Sequence, residues 1–101
     1  MSKKKWEYGD FQTPVKLARD CCQIIQSLGC LPKTIIEPTC GYGNFLLVAA
    51  ECFDSAKKIY GFDINEEYIA QLKKRISPYL EDRIISQVGN FFTIKWDSIL
   101  D

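Results

Sequence analysis

The segment IIEPTCGYGNFLLVA, residues 35–49, restricts what this chain can fold into more than any other. A short β-branched run leads into two glycines separated by one residue, and an unbroken apolar segment follows. Glycine lets the backbone turn tightly and pass close to another group, so the pattern predicts a strand that turns directly into a helix. The first amides of that helix have no intrahelical acceptor, which makes the junction a candidate ligand site.

The flanking sequence repeats the alternation. Thr13 is an expected N-cap with Pro14 at the first helical position, and Leu17, Cys21, Ile24 and Leu28 recur at helical steps beside Ala18, Cys22 and Ile25, up to a stop at Gly29. KTIIEP is a strand between two prolines, and NFLLVAAECF is a helix apolar on all sides, as expected of one buried against a parallel sheet. KKIYGFDI reads as a second strand ending at Asp63. Asn65 then caps a helix with Glu66 and Glu67 at its positive end, Lys73, Lys74 and Arg75 at its negative end, and Ile69, Leu72 and Ile76 inward. Pro78 ends it, RIISQVGNF is a third strand, and DSILD begins a fourth.

Strands alternating with helices imply right-handed βαβ units, hence a parallel sheet with flanking helices. Residues 1–12 read as a lead-in rich in aromatics, and residues 13–101 as a partial domain holding only the first three to four strands. The expectation is that the chain is the front portion of something larger.

Composition narrows the function. The 13 basic and 13 acidic side chains cancel, so no global positive field draws the chain to a nucleic acid backbone. No apolar run approaches the roughly 20 residues that cross a bilayer, and Lys3, Lys4 and Lys5 lack the apolar stretch of a secretory signal; a cytoplasmic protein without membrane contact is expected. Five cysteines at spacings that match no zinc or redox pattern, with no histidine, predict reduced thiols and no metal site.

Polar residues at the expected strand ends indicate the ligand. Glu37 stands beside the glycine turn, where its charge opposes a pyrophosphate and attracts a cation. S-adenosylmethionine fits that sign, with a sulfonium, an ammonium and no phosphate. Asp63, 20 residues after Gly43, is placed to accept from ribose hydroxyls, a role that serves NAD equally. Asn90 can present its amide to an adenine edge, with Ile64 and Phe91 as apolar walls. Each also has a structural reading: Glu37 as acceptor for turn amides, Asp63 as a helix cap, Asn90 as a turn residue after Gly89. Convergence of all three on one crevice favours the ligand. Leu46 occupies the place of the third glycine of a dinucleotide fingerprint, which disfavours a nicotinamide enzyme. Cys40 reads as a small filler and Tyr42 as a lid.

Taken in order, these residues resemble the amino-terminal, cofactor-binding part of class I S-adenosylmethionine-dependent methyltransferases, in particular the adenine-N6 DNA methyltransferases of restriction-modification systems. YGDFQTP is similar to that family's leading motif, whose threonine, here Thr13, contacts the methionine carboxylate. EPTCGYGNFL, which holds Glu37, Pro38, Gly41 and Gly43, resembles its cofactor turn; GFDIN, with Asp63 and Ile64, its ribose-binding strand end; and GNFF, with Asn90 and Phe91, its adenine-binding segment. Asn90 stands where the family carries aspartate, and its amide oxygen can still pair with an exocyclic amine. The resemblance implies a Rossmann-like class I methyltransferase fold, S-adenosylmethionine as cofactor, and site-specific methylation of N6 on a flipped DNA base. It also implies a catalytic Asn-Pro-Pro-aromatic motif after WDSILD. No catalytic residue is therefore assigned, DNA is expected to be met by parts beyond Asp101, and the chain alone is expected to be inactive.

Two alternatives stand beside this reading. One is a methyltransferase of the same architecture acting on RNA, protein or a small molecule. The other is a non-catalytic binding module, self-associating through an exposed edge of the first strand.

Overall fold

The computed structural model describes residues 12–90 and Thr93. Among the described residues three helices and three strands alternate: α1 (Val15–Ser27), β1 (Thr34–Glu37), α2 (Asn44–Cys52), β2 (Lys58–Asp63), α3 (Glu66–Arg75) and β3 (Ile84–Val88), with a 3-10 turn at Pro78–Leu80 before β3. The strands are parallel in the order β1-β2-β3, as the alternation predicted. The lead-in before Gln12, the expected fourth strand and Phe91 lie outside the described residues.

Register places Ile35, Ile59 and Ile84 side by side, so β-branched side chains form one row beneath the helices. Leu46, Val48, Ala49 and Ala50 of α2, Ile69 and Leu72 of α3, and Ala18 and Cys22 of α1 complete the core. Burying a side chain such as Leu46 or Leu72 contributes roughly 1.5–3 kcal/mol. Phe62 is also buried but stands outside this cluster, stacked parallel to Tyr60 with ring centroids 6.3 Å apart.

Helix ends follow local chemistry. Asn65 caps α3, its side-chain oxygen accepting from the amides of Glu67 and Tyr68 at 2.9 and 3.2 Å. Gly29, at φ +80, closes α1 in the left-handed conformation that avoids a Cβ clash. The start of α1 differs from expectation. Pro14 is the N-cap, with ψ 143, because its carbonyl accepts from Ala18 and the first helical residue is Val15. Thr13 makes no cap; its carbonyl is engaged by Asn44.

The inward face of α1 also differs. Ala18 and Cys22 are fully buried, whereas Leu17, Ile24 and Leu28 are 50%, 62% and 80% exposed. Small residues let α1 approach α2 closely, and the larger apolar stripe turns outward.

Candidate functional site

The site is built at the carboxyl ends of β1 and β2. Glu37 is the last residue of β1 and pairs in register with Gly61; Asp63 is the last of β2 and pairs with Val88. The two carboxylates therefore share one sheet face on neighbouring strands. Gly61 keeps the intervening position low, since a Cβ there would stand 2.8 Å from Leu46 Cδ2 and 3.1 Å from Cys40 Sγ. Cys40 thus fits as the small filler its size suggested, buried and with its amide donating to the Phe62 carbonyl at 2.8 Å.

The amides of Cys40, Gly41, Tyr42 and Gly43 each have a partner within the protein. Gly41 N donates to Asp63 Oδ2 at 3.0 Å, Tyr42 N to Gln12 Oε1 at 2.9 Å, and Gly43 N to the Cys40 carbonyl at 2.9 Å. A phosphate cradle needs such amides free, and here a carboxylate already sits on one of them.

Asp63 is held from both sides. Its Oδ1 accepts from Asn65 N at 2.9 Å, an Asx turn that leads into α3. Each carboxylate oxygen keeps a further lone pair, so Asp63 remains able to accept from a hydroxyl. It is Asp63 that receives the turn amide; Glu37 does not. Glu37 Oε2 is buried with no hydrogen-bond partner among the described residues. Burial, and secondarily the Asp63 carboxylate, push the Glu37 carboxyl up to about 7. Burial and the same two carboxylates push the Cys40 thiol up to about 12, which keeps it protonated and unreactive.

The glycines have separate reasons. Gly41, at φ +56, lets Gln12 lie on the turn, since a Cβ would come within 2.2 Å of its Oε1. Gly43, at φ +91, is the N-cap of α2, and a Cβ there would meet Leu72 Cδ1 at 2.3 Å. Tyr42 packs its ring edge-on against Tyr68, with centroids 4.5 Å apart. Ile64, next to Asp63, is an apolar side chain left 68% exposed. Asn90 follows Gly89, whose amide donates to the Asp63 carbonyl at 3.0 Å, so the end of β3 is tied to the end of β2. Thr13 is drawn to the turn through its carbonyl, and Pro38 follows Glu37 directly. Gln12, Asn44, Gly61 and Arg75 were not singled out as site residues from sequence. Only Gly61, a glycine within a strand, carried a local signal. Among the described residues no cluster of side chains could hold a metal ion, and no helix is long and apolar enough to cross a membrane.

Three parallel strands flanked by helices, with a glycine turn after β1 and a carboxylate ending β2, form a partial Rossmann-like class I methyltransferase core, consistent with S-adenosylmethionine binding. The chain is 42% identical over 100 residues to the type II methyltransferase M.NspV of Nostoc sp., a match that covers 99% of this chain and 21% of that protein. It is 34% identical over 68 residues to the type II methyltransferase M.VspI of Vibrio sp., covering 67% of this chain and 16% of that one. The chain thus spans about a fifth or less of the length of these relatives. Among solved structures it is similar to the tRNA m1G37 methyltransferase of Methanocaldococcus jannaschii, with a TM-score of 0.65 and 25% identity over 84% of this chain and 25% of that chain. No family profile matches the chain.

Proposed function

We propose that this chain is the S-adenosylmethionine-binding part of a larger methyltransferase that acts on a nucleic acid. The observation that carries the reading is the buried, unpaired Oε2 of Glu37 beside the fixed carboxylate of Asp63. A lone buried carboxylate is costly unless a cation or donor completes it, and a sulfonium-bearing amino acid supplies positive charge where a dinucleotide brings negative charge. When bound, S-adenosylmethionine supplies an electrophilic methyl group.

Each site residue then has a task. Glu37 faces the positive methionine end, and Thr13 meets the methionine carboxylate. Pro38, Gly41 and Gly43 shape the turn against which the ligand lies. Asp63 accepts from the ribose hydroxyls. Ile64 and Phe91 sandwich the adenine, and Asn90 pairs with its exocyclic amine. Catalytic groups that orient the target are assigned to the remainder of the larger protein.

Two targets follow from different observations. The order of the four motifs, which resembles that of adenine-N6 DNA methyltransferases, supports N6 of adenine in DNA; the two sequence relatives are type II methyltransferases. Solved structures similar to the chain include a tRNA enzyme, and similarity to it favours RNA. The crevice is common to both, since fold does not fix substrate. Incubating the full-length protein with methyl-labelled S-adenosylmethionine and either unmodified DNA or tRNA distinguishes them. Label on N6-methyladenine in DNA supports the first target, label in RNA alone the second, and no transfer to either overturns the nucleic-acid reading. Among the described residues the outer edge of β1 is unpaired, so a self-associating module predicts concentration-dependent sedimentation instead.

A further inference from the structure

Residues far apart in sequence meet above the start of α2. Arg75, the last residue of α3, donates through Nη1 to the Tyr42 carbonyl at 2.9 Å and to Asn44 Oδ1 at 2.8 Å. Asn44 Nδ2 donates to the Thr13 carbonyl at 2.9 Å. The orientation of the Asn44 amide is fixed by its partners: a guanidinium only donates and a carbonyl only accepts, so oxygen faces Arg75 and nitrogen faces Thr13. One residue earlier, Gln12 Oε1 takes the Tyr42 amide. Two side-chain ties therefore hold residues 12 and 13 on the glycine turn, one from Gln12 and one from Asn44.

We propose that Asn44, oriented by Arg75, is a positioning residue that sets the affinity of the crevice for the amino-acid end of the cofactor by holding Gln12 and Thr13 against the turn. This rests on the cofactor reading above, in which Thr13 meets the methionine carboxylate. Release of the tie frees a segment that must then be ordered again when ligand binds, and the ligand's affinity falls by the fraction of time the segment is out of place. The nucleoside end, held by Asp63 and the strand ends, does not draw on that tie.

Asn44→Asp separates positioning from folding. Its carboxylate keeps an acceptor for Arg75 and places negative charge in the first turn of α2, where it favours the helix. Its second oxygen, however, faces the Thr13 carbonyl acceptor to acceptor, so the tie is lost. Asn44→Ala, which adds no charge, controls for repulsion of the ligand's carboxylate. The readouts are amide hydrogen exchange in the free chain and calorimetric affinity for S-adenosylhomocysteine and 5′-methylthioadenosine, which share the nucleoside and differ at the amino-acid end. In both variants Tyr42 N–H is expected to exchange at least about tenfold faster while Gly41 N–H, bound to Asp63, is unchanged. S-adenosylhomocysteine is expected to weaken about tenfold and 5′-methylthioadenosine less than about twofold. Unchanged Tyr42 protection in Asn44→Asp, or equal weakening of both ligands, overturns the proposal. A wild-type chain that is folded but binds neither ligand overturns the cofactor reading and the affinity role with it, while the exchange rates still decide whether Asn44 holds the segment.

Discussion

Asp63 reaches back across 22 residues to accept the Gly41 amide at 3.0 Å, joining the end of β2 to the glycine turn after β1. Its other oxygen accepts from Asn65. Asp63→Asn turns one of these acceptors into an NH2 group facing an N–H. The expected loss is on the order of 1–3 kcal/mol in urea unfolding, with faster exchange at either Gly41 or Asn65. Stability equal to wild type would show that these bonds do not hold the turn.

Glu37 ties stability to pH. Its folded value of about 7 lies above the ordinary 4.5, with burial the first cause and Asp63 the second. Between those values the folded chain holds a proton that the unfolded chain has released, so stability is fully present below the lower value and is lost as pH rises through the upper one. Glu37→Gln removes the loss. It should match wild type near pH 4.5 and exceed it by on the order of 1–3 kcal/mol at pH 8, measured by thermal or urea unfolding at both pH values. The cationic cofactor favours the ionised form, so its affinity for wild type should rise across the same window. A variant with the wild-type pH slope contradicts this role.

Two glycines with positive φ should respond differently to alanine. Gly29 faces open space at φ +80, so Gly29→Ala costs only the left-handed conformation, about 1–2 kcal/mol. Gly43→Ala adds a clash with the buried Leu72 side chain and should cost roughly 1–3 kcal/mol more. Equal losses in denaturant titrations would mean that the packing of α3 on the turn is looser than described.

Arg83 closes the C-terminal end of α2. Its guanidinium donates to the carbonyls of Ala56, Ala50 and Phe53 at 2.8, 3.1 and 2.7 Å. A lysine ammonium cannot span three acceptors so disposed, and Arg83→Lys should lose on the order of 2 kcal/mol despite keeping the charge. Wild-type stability in that variant would assign the effect to charge alone.

The strand and helix order was legible because each element carried its own period and punctuation: Gly29 after α1, Asn65 before α3, Pro78 after it. The inner face of α1 was not, because periodicity weighs Leu17, Ile24 and Leu28 above Ala18 and Cys22, whereas close helix packing selects the small side chains. In the crevice, Glu37 and Asp63 were visible as carboxylates at strand ends. The division of labour between them was not, because which one receives Gly41 N depends on register between β1 and β2. Asn44 and Arg75 stand 31 residues apart, and nothing local signals that they touch.

Whether the strand ends bind a cationic nucleoside is decided by calorimetric titration of the folded chain with S-adenosylmethionine and, in parallel, with NAD. Saturable binding of S-adenosylmethionine, none of NAD, and at least about tenfold weakening by Glu37→Ala or Asp63→Ala are expected. A folded chain that takes up NAD as well as S-adenosylmethionine, or neither, contradicts the cofactor reading.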